Sequence, residues 1–144
     1  LGIVPAFLCV GAAALTLLVA LQFGSYMQPD AVTPTSVARV VAQDNGLVVA
    51  AAYVEDSGQL FVERQIGARA QGRSLELWII AGDAAPLSLG ILATDETINE
   101  IIIPESLRNK MVGATLAISD EPAGGSPTGA PTCAVLAAGE ITTL

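Results

Sequence analysis

Two patterns of apolar residues divide the chain. Over residues 1–23 they run almost without interruption, and no charged side chain occurs before Asp30. As a helix rising about 1.5 Å per residue, this stretch would measure roughly 34 Å, enough to cross a hydrocarbon core of about 30 Å. Gly2, Pro5 and Gly11 are poor helix residues in water but are tolerated in membrane helices. Phe23 and Tyr26 stand where interfacial aromatic anchors are expected. The pattern predicts a transmembrane helix over residues 1–27. A secretory signal peptide is the rival reading, but its apolar region runs to only about 7–15 residues behind a basic segment. The chain opens on Leu rather than Met, so further sequence before Leu1 is expected.

Residues 28–36, QPDAVTPTS, read as a linker, with two prolines among small polar residues. Beyond them the pattern changes to short β-branched and apolar stretches closed by turn residues. Strands are predicted over 37–43 and 47–54 across an Asp44-Asn45-Gly46 turn, then over 59–66 after Asp56-Ser57-Gly58. Further strands are predicted over 75–80, 86–93, 97–103, 113–120 and 134–141. In LELWII, Leu75, Leu77 and Ile79 share one face, and Glu76, Trp78 and Ile80 share the other. One short helix is expected over 104–111, with Pro104 at its start, Glu105 early and basic residues late. About eight strands and one short helix predict an all-β domain over residues 37–144, an antiparallel β-sandwich with an edge-closed barrel as the alternative.

Charge sharpens this division. All six basic and fourteen acidic residues lie from Asp30 onward, so that part carries the whole net charge of −8. An acidic surface argues against nucleic acid, which needs Lys and Arg to displace counterions, and against docking on anionic lipid. No histidine is present, which removes the commonest general base and metal ligand together. Cys9 lies in the apolar segment and Cys133 in the C-terminal domain, so no intramolecular disulfide is expected.

No set of residues adds up to catalysis. Glu55-Asp56 and Asp95-Glu96 lack the spaced oxygen ligands that Ca²⁺ requires, and read as solvated turns. Glu63 and Glu76 lie inside strands without a partner acid. The serines have neither an activating histidine nor a nucleophile elbow. AGGSPTG looks like a phosphate loop only superficially, because it lacks the Lys-Ser/Thr ending and its proline removes an amide donor. Trp78 reads as a core or interface anchor. No catalytic, cofactor-binding or metal residue is assigned, and no enzyme activity is expected.

The most unusual stretch is SDEPAGGSPTGAPTC, residues 119–133. Together with Glu76-Leu77-Trp78-Ile79, Pro86-Leu87-Ser88-Leu89-Gly90 and the later Val135-Leu136 and Gly139, it resembles the C-terminal domain of the anti-sigma-K factor family. Cys133 departs from that pattern, where relatives commonly have Gly. The resemblance implies a single-pass protein of the bacterial inner membrane with an extracytoplasmic β domain. It also implies an extracytoplasmic-function (ECF) sigma factor as partner, bound by an N-terminal domain expected before Leu1. Release is implied by regulated proteolysis, first outside by a site-1 type protease and then within the membrane by a site-2 type protease. A tethered extracytoplasmic binding module without a role in transcription is the alternative. The 119–133 loop itself reads either as a structured loop fixed against the domain or as a surface sensed by a protease or partner. The exposed linker at 28–36 leads to a further expectation, that the folded domain shields a cleavage site there.

Overall fold

Turn chemistry sets the first three strands, β1 Ser36–Ala42, β2 Val48–Val54 and β3 Gln59–Ile66. Asn45 takes the left-handed conformation (φ 56°) that Asn tolerates, and the Gly46 amide donates to Asp44 Oδ1 at 2.8 Å. Gly58, at φ 73°, closes the second turn through a 2.8 Å bond from its N–H to the Val54 carbonyl. Six strands and one helix follow: β4 Arg73–Ile80, β5 Leu87–Ile91, β6 Ile98–Ile102, α1 Glu105–Arg108, β7 Thr115–Pro122, β8 Val135–Glu140 and β9 Thr142–Thr143. The computed structural model describes residues 32–144, of which Thr33–Leu144 forms a single unit. The helix expected over residues 1–27 lies outside the described residues. Among those described, no helix is long and apolar enough to cross a membrane.

All pairings are antiparallel and run in the order β5-β4-β7-β8-β1-β2-β3-β6, with β9 also on β1. The expected sandwich is thereby corrected in its connectivity. β1 is paired on both sides, with β2 on one and with β8 and β9 on the other, so no break separates two sheets. One continuous sheet curls into a nearly closed barrel, and β5 and β6 are its two ends. The join is short: β8 meets β1 only at Val41↔Ala138 and Ala42↔Ala137, and β9 meets it at Ser36↔Thr143 and Val37↔Thr142. Between β8 and β9 the buried Ile141 interrupts the ladder and exchanges backbone bonds with Gly113 and Ala114 instead.

The alternation places Val40, Val49, Leu60, Val62, Leu75, Leu77, Ile79, Leu116 and Ile118 in one core cluster. Each such side chain contributes about 1.5–3 kcal/mol on burial. Met111 and Leu107, just beyond and within α1, pack on the same cluster. The helix is shorter than expected: only 105–108 are helical, because four residues give too few internal bonds to propagate further.

Two substitutions test this packing. A Cβ on Gly139 would collide with the Arg39 carbonyl oxygen and lie 2.7 Å from its carbon, backbone that cannot yield where the sheet joins. Gly139→Ala should cost about 2–3 kcal/mol in urea unfolding; a loss under about 1 kcal/mol would show that the join can relax. The Tyr53 hydroxyl is buried without a hydrogen-bond partner among the described residues. Tyr53→Phe should therefore leave stability unchanged or raise it by up to about 1 kcal/mol in the same assay.

Candidate functional site

β4 is buried along nearly its whole length, with only its end residues Arg73 and Ile80 half-buried. Leu75, Leu77 and Ile79 face the barrel core as the alternation predicts. Ser74, Glu76 and Trp78 face outward and are buried too, and Trp78, at 0% exposure, is not part of the core cluster. One segment crosses part of this outer face and bonds Ser74 and Glu76 of β4 and Glu121 of β7. It is the loop between β7 and β8, residues 123–134.

Strand register brings the buried polar groups together. Ser74 lies opposite Glu121 and Glu76 opposite Ser119, so these residues and Trp78 share the outer face. The Trp78 indole Nε1–H donates to Ser119 Oγ at 2.8 Å, and the Ser119 hydroxyl donates to Glu121 Oε1 at 2.7 Å. From the far end of the loop Thr132 reaches back, its N–H 3.0 Å from Glu121 Oε1 and its hydroxyl on Glu121 Oε2. Glu121 has no solvent exposure, and Thr132 of the loop bonds both of its oxygens.

A second carboxylate holds the near end of the loop. Glu76 accepts from the Ser88 hydroxyl and from the Ser126 N–H, each at 2.6 Å. The Gly124 N–H donates to Ser74 Oγ at 3.1 Å. At Gly125 the loop passes so close that a Cβ would sit 3.1 Å from Glu76 Oε2, and φ is +99°. The positive φ favours glycine there, and the close approach leaves little room for a side chain. The crest is tied internally, with Ser126 Oγ donating to the Ala130 carbonyl and Thr128 Oγ1 to the same oxygen at 3.2 Å. At the rim Arg73 pairs with Asp120 at 3.1 Å and donates to the exposed Cys133 Sγ at 3.1 Å. Those bonds, that to Asp120 foremost, push the Arg73 pKa still higher, so the guanidinium stays charged.

The arrangement works as a latch between strand and loop. Ser119 touches a carboxylate, but it has no solvent exposure, so no substrate reaches its oxygen. Among the described residues no group of three His, Cys, Asp or Glu is placed to hold a metal ion. Glu63, Glu55-Asp56 and Asp95-Glu96 are not brought to the latch. Glu76 is, but its partners are hydroxyl and amide donors rather than a second acid. Sequence reasoning missed Glu121, Ser119 and Thr132 as a set. The signal was available: Ser119 and Glu121, two apart and so on one strand face, precede a Pro/Gly loop that ends in Thr132.

Glu121 makes the latch sensitive to acid. Burial pushes its pKa up, but hydrogen bonds from Thr132, from Ser119 and from the Thr132 and Cys133 amides outweigh this and hold it below the usual 4.5. A carboxyl whose folded pKa is depressed stabilises fully above its unfolded pKa and loses that contribution as pH falls through the folded value. Trp78 is the only tryptophan, so its emission should redden as pH drops below about 4.5 and the cover loosens. Glu121→Gln should destabilise the domain at pH 7, because an amide cannot accept every bond the carboxylate accepts. The gap between parent and variant should close in acid; a gap constant with pH would mean that Glu121 does not titrate in the latch.

The chain matches the family model described as anti-sigma-K factor rskA, C-terminal, over residues 8–135. Neither a curated protein nor a solved structure matches it. The matched span includes both halves of the latch, the outer face of β4 and the loop that covers it, from Ser74 to Thr132. This chain belongs to the anti-sigma-K factor family, with residues 8–135 corresponding to the family's C-terminal domain.

Proposed function

We propose that this chain is the extracytoplasmic regulatory part of a membrane-bound anti-sigma factor that controls an ECF sigma factor. The family match over residues 8–135 is the observation that carries this reading, because it begins inside the uncharged segment and runs through the β domain. On this reading residues 1–27 cross the bacterial inner membrane once, and residues 28–36 link them to the domain outside. Sigma binding belongs to sequence before Leu1. The role is regulatory rather than catalytic, and the latch supports it by giving a fixed fold without a reacting group.

Control then rests on proteolysis of the linker, by a site-1 type protease outside and a site-2 type protease in the membrane. The folded domain shields the linker, since the chain passes straight from it into β1, where Thr35 N–H bonds the Tyr53 carbonyl at 2.8 Å. The test couples Gly139→Ala to two readouts in cells that carry the whole protein and its sigma factor. Cutting within residues 28–36 should rise, and transcription from the sigma factor's promoter should rise with it. Equal cutting of parent and variant would rule out shielding. More cutting without a transcriptional response would rule out sigma control.

A further inference from the structure

The two ends of the sheet are not alike. β5 follows Pro86, is thrown out of register opposite Leu77 and Trp78, and carries Gly90 at φ 119°. Its Ser88 is tied to Glu76, and Ile91 packs against Gly125 of the loop. Bulges, prolines and covering loops are how sheet edges are kept from pairing with other chains. β6, INEII, has no Pro, Gly, Lys or Arg and an unbroken register with β3, and its tie to the preceding loop is through the inward-facing Asn99, whose Oδ1 accepts from the Ala93 N–H at 2.8 Å.

The backbone phase of β6 follows from two bonds that bracket it. Arg64 N–H donates to the Thr97 carbonyl and Ile103 N–H to the Gly58 carbonyl, each at 2.8 Å. Asn99 and Ile101 therefore turn their main-chain groups toward β3, and Ile98, Glu100 and Ile102 turn theirs toward the open side. The same three residues face outward, with Ile98 56% and Ile102 58% exposed. Beside Ile98 the apolar surface continues into a shallow concavity of about 770 Å³ over Val37, Ala50, Ala52 and Phe61.

We propose that β6 is a docking edge for an extended segment of another protein. The segment adds as a strand along Ile98–Ile102, with a Lys or Arg beside Glu100 and apolar residues beside the two isoleucines. Main-chain bonds supply affinity in such strand addition, and alternate side chains supply specificity. Charge decides the occupant. A second copy pairing antiparallel in register through the same edge would set Glu100 against Glu100, and like charges directly opposite are unfavourable. Asp95, Glu96 and Glu105 flank the strand, and the chain carries a net charge of −8. Glu100 is bonded to Gln59 Nε2 at 2.8 Å and forms no ion pair among the described residues, so its charge is open to a basic partner.

The probe is the synthetic peptide KTIVKVITK, which presents Ile-Lys-Ile at alternate positions, titrated into the ¹⁵N-labelled full chain in detergent micelles. The amide signals of Ile98, Glu100 and Ile102 should move together. The peptide KTIVEVITK should bind about fivefold more weakly, and Glu100→Lys, an exposed substitution, should reverse that order. N-methylation at both isoleucines should abolish binding by removing the donors that face β6. The proposal is overturned if those three amides do not respond at millimolar peptide, or if N-methylation leaves binding unchanged. It is equally overturned if the same amides respond to protein concentration alone, which would make a second copy the occupant. The assay reads binding only, so its outcome is separate from that of the transcription assay.

Discussion

The burial of β4 on both faces is the constraint to which the rest of the domain answers. A sheet curled on itself shields its inner face and leaves its outer face to water. Ser74, Glu76 and Glu121 on that outer face are nevertheless buried, so the chain supplies a second layer over them locally. The β7–β8 loop is that layer, and its composition follows from its position. It crosses polar residues, Ser74, Glu76 and Glu121, which cannot be buried without donors. Its own amides and hydroxyls, from Gly124, Ser126 and Thr132, are those donors. Carboxylate and loop thus satisfy each other, and neither is stable in place alone.

Much of the framework was legible in the sequence. The Asp-Asn-Gly and Asp-Ser-Gly turns, with the alternation between them, gave the first two hairpins, and β3 matches its expected bounds at Gln59–Ile66. The facing of Leu75, Leu77 and Ile79 also holds. Errors fall where a polar residue is buried. β4 starts at Arg73 and β7 runs to Pro122, each two residues beyond expectation. Ser74 and Glu121, polar and next to Gly- and Pro-containing stretches, give no sign of strand until the opposite strand and the loop are known. The two-residue β9 carries no periodicity at all. The choice between sandwich and barrel rested on whether β1 pairs on one side or two, and local sequence does not encode that.

The latch was illegible for a related reason. Chemistry in a sequence is usually sought as acids, bases and nucleophiles that meet a substrate. Here Ser119 and Glu121 meet each other beneath a cover, and their partner Thr132 comes from the far end of a proline-rich loop. Rigidity in the cover has a backbone basis as well. Two prolines, Pro127 and Pro131, restrict the unfolded loop, and glycines at 124, 125 and 129 take positive φ angles open to few other residues. Cover and strand are thus held in one arrangement by the loop's own backbone and by its bonds to Ser74, Glu76 and Glu121.

The junction of β1 with β9 has a mechanical consequence. The chain enters β1 beside the point where it leaves β9: Leu144 N–H bonds the Thr35 carbonyl at 3.1 Å, and Ser36 lies opposite Thr143. Tension between those two points would load the ladder from its end and break its bonds in succession, as a zipper opens, instead of shearing them all at once. After the two residues of β9 the next position to yield is Ile141, whose side chain is part of the core. A pull across these points therefore meets two strand pairs first and then the buried Ile141, so resistance rises sharply once β9 has opened.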